Sequence, residues 1–128
     1  MSAARTGPHD ADSWPHVSLI LLMKNHLAYM QRSLELICTQ VYPGDVEVVY
    51  IDSGSTDGTI EFMRDHGVEA HCIPPEEFHH ARTRNMAAAI ARHEILVLLS
   101  ADAVPVNEHW LGHLVAPFRD PRVGAVYG

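Results

Sequence analysis

The hydrophobic pattern starts abruptly at Val17. From Val17 to Met23 the chain reads VSLILLM, an apolar run of strand length. Such a run predicts a strand covered on both faces. Leu27, Met30, Leu34, Ile37 and Val41 then recur at steps of three and four, the spacing of one face of an amphipathic helix. VYPGD breaks this pattern, and VEVVYI (Val46 to Ile51) predicts a second strand. A polar turn follows. Thr59 to His66 is expected to form a short helix with Asp57 near its N-cap, ended by Gly67. VEAHCI (Val68 to Ile73) predicts a third strand, stopped by Pro74 and Pro75.

Alanine-rich propensity predicts the next helix, from about His80 to Arg92. The run Ala87 to Ala89 within it points to close packing of helix on sheet. EILVLLS (Glu94 to Ser100) predicts a fourth and very apolar strand, and ADAVP a loop. Trp110, Leu111, Leu114, Val115 and Phe118 define a helix face beginning near Asn107, and VGAVYG (Val123 to Gly128) reads as a fifth strand. Five strands alternating with four helices predict an α/β domain with a mainly parallel sheet and right-handed crossovers. In such sheets ligands bind beyond the carboxyl ends of the strands, near a topological switch point. The residues at those ends are Lys24 and Asn25, Asp52 to Asp57, Pro74 to His80, and Ser100 to Ala103.

Composition narrows the picture. A chain of 128 residues is expected to form one domain. Residues 1–16 are rich in Pro, Asp and Ser and read as a mobile tail, leaving 17–128 as the domain. The net charge is −7, Lys24 is the only lysine, and no basic cluster exists, which argues against nucleic acid as a partner. The ten histidines fit either a pH response or a scattered surface population. Cys38 and Cys72 form no CxxC pair, so a disulfide is not expected and each reads as a small buried hydrophobe. No segment is apolar enough to span a bilayer, and the N-terminus lacks the apolar core of a signal peptide.

Several chemistries are excluded by the residues after the first strand. MKNHLAYM contains no glycine, so backbone cannot approach a pyrophosphate as in a dinucleotide site. GxxxxGK[ST] and G-x-S-x-G are also missing. What remains is a set of polar side chains at strand ends. Asp52 can accept hydrogen bonds from ribose hydroxyls or a base N–H, or it can bond its own turn. Asp102 suits a divalent cation bridging to phosphate oxygens, or is a loop aspartate. His80 and Arg84 lie four apart on one helix face with Asn85 beside them. They could line a diphosphate near that helix's first turn or form a solvated face, to which Arg82 and Arg92 are assigned.

As a set, VSLILLMKN, VVYIDSGSTDGT, FHHARTRN and LLSADAVP resemble, in order and spacing, the nucleotide-sugar-binding half of family 2 glycosyltransferases of the GT-A fold. EEFHHARTRN and LLSADAVPVNEHWLGHLVAPFRDPRVGAVYG resemble the bacterial rhamnosyltransferase-like branch. The likeness covers about Val17 to Gly128. It implies a Rossmann-like three-layer sandwich and an inverting transferase that takes a nucleotide-diphosphate sugar, dTDP-rhamnose-like or UDP-linked. Asp52 and Ser53 match the turn that contacts base and ribose. His80, Arg84 and Asn85 match the segment lining the nucleotide or diphosphate. Asp102 matches the last carboxylate of the DxD-type motif, which holds Mg²⁺ or Mn²⁺.

The chain departs from the family pattern at Ser53, where a second aspartate is usual, and at Ser100, the first DxD position. Family members also continue into a segment with the acceptor site and catalytic base, so the chain is expected to be truncated after its fifth strand. No residue is assigned as the base, including Glu108 and Asp120. The implied acceptor is a glycan or lipid-linked sugar, and the implied location is the cytoplasm, peripheral to the inner membrane face. A non-catalytic nucleotide-sugar or partner-binding module is the alternative. An open edge at the fifth strand would favour self-association.

Overall fold

A computed structural model describes residues 14–128 of the chain. The elements run β1 (Val17–Met23), α1 (Leu27–Cys38), β2 (Val46–Asp52), α2 (Thr59–Asp65), β3 (Ala70–Cys72), α3 (His80–Ile90), β4 (Ile95–Leu98) and α4 (Trp110–Val115). Short 3₁₀ turns occupy Pro75–Glu77 and Ala116–Arg119. The four strands are parallel in the order β3-β2-β1-β4. The chain therefore winds outward from β1 to β3, then crosses back to place β4 on β1's other side. The switch point lies between β1 and β4.

Strand alternation sorts the core into two faces. Val17, Leu19, Leu21 and Met23 pack with Met30, Leu34 and Ile37 of α1, Met63 of α2, and Leu111 and Val115 of α4. Ile20, Val49 and Ile51 face the other way, against Ala87 of α3. Helices thus cover both sides of the sheet, as the continuous apolar strands require. The α3 side is thinner, because α3 packs mainly over β1 and β2. Leu96 and Leu98 of β4 remain 40% and 55% exposed as a result.

Ser18 is fully buried on the α3 side at the amino end of the sheet. Its hydroxyl donates to Glu47 Oε2 at 2.5 Å and accepts from the His93 N–H at 3.2 Å. Arg92 reaches the same carboxylate through its backbone N–H and through Nε at 3.0 Å. Burial pushes Glu47 up, but the bonds from Ser18 and Arg92 outweigh it and hold the carboxyl below its ordinary value. Arg92 thus lies on a solvated face, as expected, with its side chain 75% exposed and ion-paired to Glu47.

Other expectations are corrected. Val123 to Gly128 forms no strand, because those residues find no hydrogen-bonding neighbour in the sheet; the free edges are β3 and β4. The third strand shrinks to Ala70–Cys72, and the last helix starts at Trp110. The first helix ends at Cys38, leaving Val41 exposed. Both cysteines lie at the surface as free thiols. Only Ala87 of the alanine run is buried. Residues 1–13 of the expected tail lie outside the described residues, but Trp14 to His16 are packed. Trp14 meets Tyr42 edge-on at 5.7 Å, Arg119 stacks over its ring, and the Tyr42 hydroxyl donates to Pro15 O at 2.5 Å.

Candidate functional site

The carboxyl end of the sheet is built around Asp52, the last residue of β2. Tyr50 and Asp52 are two apart in a strand and so share a face. Both are fully buried. Asp52 Oδ1 accepts the N–H groups of Gly54 at 2.9 Å and Ser55 at 2.7 Å. Oδ2 accepts the Ser55 hydroxyl at 2.5 Å and the Tyr50 hydroxyl. A carboxylate has about four lone-pair sites, and four donors occupy them. Burial first, then the Asp52 hydrogen bond and charge, push the Tyr50 phenol far up. The turn SGST is thus folded onto Asp52, which the sequence reading had directed at a ligand.

A second loop is tied to this turn. Asn25 follows β1 with a φ of 58°, a left-handed conformation that asparagine tolerates better than most residues. There its Oδ1 accepts the Thr56 N–H at 2.7 Å, and its own N–H donates to Ser55 Oγ at 2.8 Å. Asp57 completes the link. Oδ1 accepts the Thr59 N–H at 3.0 Å and Oδ2 the Leu27 N–H at 3.2 Å, so one carboxylate serves the first turns of α1 and α2. The N-cap position itself is Gly58. Burial alone would raise Asp57, but the bonds from Thr59 and Leu27 outweigh it and hold it below its ordinary value.

Replacing Asp57 with alanine removes both caps and is expected to cost about 2 kcal/mol of stability at pH 7, at the upper end for a helix cap. Its folded pKa lies below the unfolded one. The charge-dependent part of that contribution is therefore present above about pH 4 and lost as pH falls through the folded value. Urea midpoints of the two proteins should differ clearly at pH 7 and converge toward pH 2.

The third loop seats against the first. A Cβ added to Gly54 would lie 2.6 Å from Pro75 Cγ, so Pro75 packs directly on the turn. The Ile73 N–H also donates to Asp52 O at 2.8 Å. From this anchor the chain enters α3. His79 accepts the Arg82 N–H, while the Thr83 hydroxyl accepts the His79 N–H at 3.2 Å. Thr83 and Ala87 are the residues α3 buries, so His80, Arg84 and Asn85 stay exposed at the sheet edge. Asp102 is exposed on the turn after β4, which is closed by an Ala103 N–H to Ser100 O bond of 2.9 Å.

Among the described residues no three His, Cys, Asp or Glu side chains converge as a metal site. A lone carboxylate still suits Mg²⁺ or Mn²⁺ when substrate phosphates and water complete the shell. The donor set at β4 fits that shared arrangement. An open groove of about 1530 Å³ runs beside β4, lined by Trp14, Leu98, Trp110, Phe118 and Val126 and reaching Ser100. Its walls are largely apolar, whereas the polar groups converge at the loops after β1, β2 and β3. The site is placed by that chemistry.

Sequence reading found Ser53, His80, Arg84, Asn85 and Asp102 as polar groups at one edge, and the fold brings their segments there. It placed Asn25 and Ser55 at that edge without giving either a role, and it missed Tyr50. The available signals were a tyrosine two residues before a strand-end aspartate, and an asparagine directly after a strand.

These features define a parallel α/β domain with a hydrogen-bonded loop cluster at the carboxyl edge of its sheet. Residues 18–128 match Glycosyl transferase family 2, and the chain belongs to that family. It is 36% identical over 83 residues to the O-antigen chain rhamnosyltransferase WbaN of Salmonella anatum, covering 64% of this chain and 26% of that protein. It is 30% identical over 115 residues to the O-antigen chain rhamnosyltransferase RfbN of Salmonella typhimurium, covering 88% and 36%. The mannosyltransferase PcManGT of Pyrobaculum calidifontis, solved with GDP-Man and Mn²⁺, superposes with a TM-score of 0.77 at 32% identity, over 90% of this chain and 35% of that one. The fold is the GT-A arrangement. The chain spans little more than a third of the length of these relatives, or less.

Proposed function

We propose that residues 17–128 are the donor-binding part of a glycosyltransferase that takes a nucleoside-diphosphate sugar, dTDP-rhamnose-like or UDP-linked. One observation carries the reading. The loops after β1, β2 and β3 are locked into one another around Asp52, Asn25 and Gly54, at the sheet edge where α/β folds bind ligands. Rigid loops of this kind provide a preformed cradle. The names of the rhamnosyltransferase relatives and the GDP-Man complex support a sugar nucleotide as its occupant.

In this reading Ser53 faces the base and ribose, and Asp52 acts through the turn it holds. His80, Arg84 and Asn85 line the diphosphate. Asp102 would hold Mg²⁺ or Mn²⁺, which, when bound, offsets charge on the departing nucleoside diphosphate. Transfer with inversion to a glycan or lipid-linked acceptor is assigned to the whole protein. No described residue is assigned as its base. Among the described residues no helix is long and apolar enough to cross a membrane, which is compatible with peripheral work at the inner face.

Calorimetric titration with dTDP, UDP and GDP, with and without Mn²⁺, tests the proposal. Saturable binding of at least one is expected, tighter with Mn²⁺, and the Mn²⁺ gain should vanish in Asp102→Ala. Failure of a folded chain to bind any of the three rejects it.

A further inference from the structure

We infer that Lys24 is a diphosphate-contacting residue of the donor site, an inference that rests on the sugar-nucleotide reading above. The first support is what the cations of this protein are doing. Among the described residues Arg64, Arg92 and Arg122 are paired with Glu69, Glu47 and Asp120. Arg32 stacks on Tyr29 and Arg119 on Trp14. Lys24, Arg82 and Arg84 have neither a carboxylate within 4.0 Å nor an aromatic ring to stack on. All three stand at the carboxyl edge of the sheet, at the end of β1 and in the first turns of α3. A chain of net charge −7 has many acidic groups to pair with, yet it leaves these cations unpaired at one end.

The second support is the register. Met23 pairs with Asp52 and Ile20 with Leu98. The β1–β2 ladder continues one step further, with the Ser53 N–H donating to Met23 O at 3.0 Å, so Lys24 comes level with Ser53, while β4 leaves the sheet after Leu98. Lys24 thus stands at the switch point between β1 and β4, where the bound ligand belongs. Alternation places Ile20 and Leu22 on the α3 side of the sheet, and Lys24 follows on that side, toward the helix that carries His80 and Arg84. Ser53 falls on the same side by the same count. It is only 7% exposed, and its hydroxyl has no hydrogen-bond partner among the described residues.

A strongly hydrated point charge on a flexible stem is suited to phosphate oxygens and carries no base specificity. Its contribution should follow the phosphates and not the nucleoside. The test compares wild type, Lys24→Gln and Lys24→Arg for binding of UDP, dTDP and GDP and of the matching nucleosides, with unfolding curves to confirm equal stability. Lys24→Gln is expected to weaken the bound diphosphate about tenfold, as for loss of one charge-assisted contact, to leave nucleoside binding unchanged, and to flatten the salt dependence of binding. Lys24→Arg should keep most of the affinity. Unchanged diphosphate affinity in Lys24→Gln, or an equal loss for the nucleoside, overturns the inference. If wild type binds none of the diphosphates, the donor-site reading itself fails first.

Discussion

Asp52→Ala is expected to lower the free energy of unfolding by about 3 kcal/mol and to abolish measurable nucleoside-diphosphate binding. The substitution strands four donors at once. The Tyr50 hydroxyl is the costliest, because Tyr50 is fully buried and an unsatisfied buried donor costs about 1–3 kcal/mol. The N–H groups of Gly54 and Ser55 lose their acceptor in a half-buried turn, where water recovers part of the loss. Removing the carboxylate also leaves a small void.

Asp52→Asn separates charge from geometry. Its carbonyl can keep the Gly54 and Ser55 N–H bonds. Its amide then meets two hydroxyls, Tyr50 and Ser55, which can turn and accept. A milder loss, about 1 kcal/mol, is expected. Urea denaturation reads both. An Asp52→Ala protein within about 0.5 kcal/mol of wild type, the range of ordinary surface changes, would show that the turn is held by something else. Tyr50 adds a pH signature. Its folded pKa is raised above the unfolded value, so its contribution is complete below about pH 10 and is lost as pH rises beyond it. Tyr50→Phe should flatten that alkaline slope.

The second large effect is at Gly54. Gly54→Ala should cost about 3 kcal/mol, from two independent sources. The residue has a φ of 109°, which L side chains rarely adopt, and the new Cβ would sit 2.6 Å from Pro75 Cγ. Left-handed strain costs roughly 1–2 kcal/mol, and overpacking against a ring with little freedom costs a similar amount. Relief requires the Pro75 turn to back away, and that turn leads directly into α3. The start of the helix carrying His80 and Arg84 should therefore shift, and nucleotide affinity should fall with stability. Thermal unfolding and titration on the same preparation check this. At Gly58, also at positive φ, the nearest atom to an added Cβ is the flexible Leu27 Cδ2 at 3.4 Å, so Gly58→Ala should suffer backbone strain without the clash. A Gly54→Ala protein no less stable than Gly58→Ala would refute the Pro75 contact as the second source.

The legible parts of this protein are those where local pattern and burial agree. Val17 to Met23 had to be an inner strand, because an apolar run of that length cannot be left in water. The helix beginning at His80 was readable from alanine propensity and from the proline pair before it. Val123 to Gly128 carries equally good strand residues, yet it stays irregular, because a strand exists only where a neighbour accepts its hydrogen bonds. Cys38 shows the same limit. Helical spacing identified its helix, but its exposure depends on which face the sheet covers.

By itself the sequence determined the alternation of strands and helices, and with it which loops gather at the carboxyl edge. Period, propensity and turn residues are local properties, and a parallel sheet converts them into one shared edge. The tertiary structure decided which polar groups at that edge are used up. Asp52 looked free to meet a ligand, but Tyr50, Gly54 and Ser55 fill its acceptor sites. Lys24 was placed at a strand end by pattern alone, but strand order sets it at the switch point, with no acidic partner within ion-pair reach among the described residues. Hydrogen-bond capacity is finite, and which neighbours exhaust it depends on residues far apart in the chain.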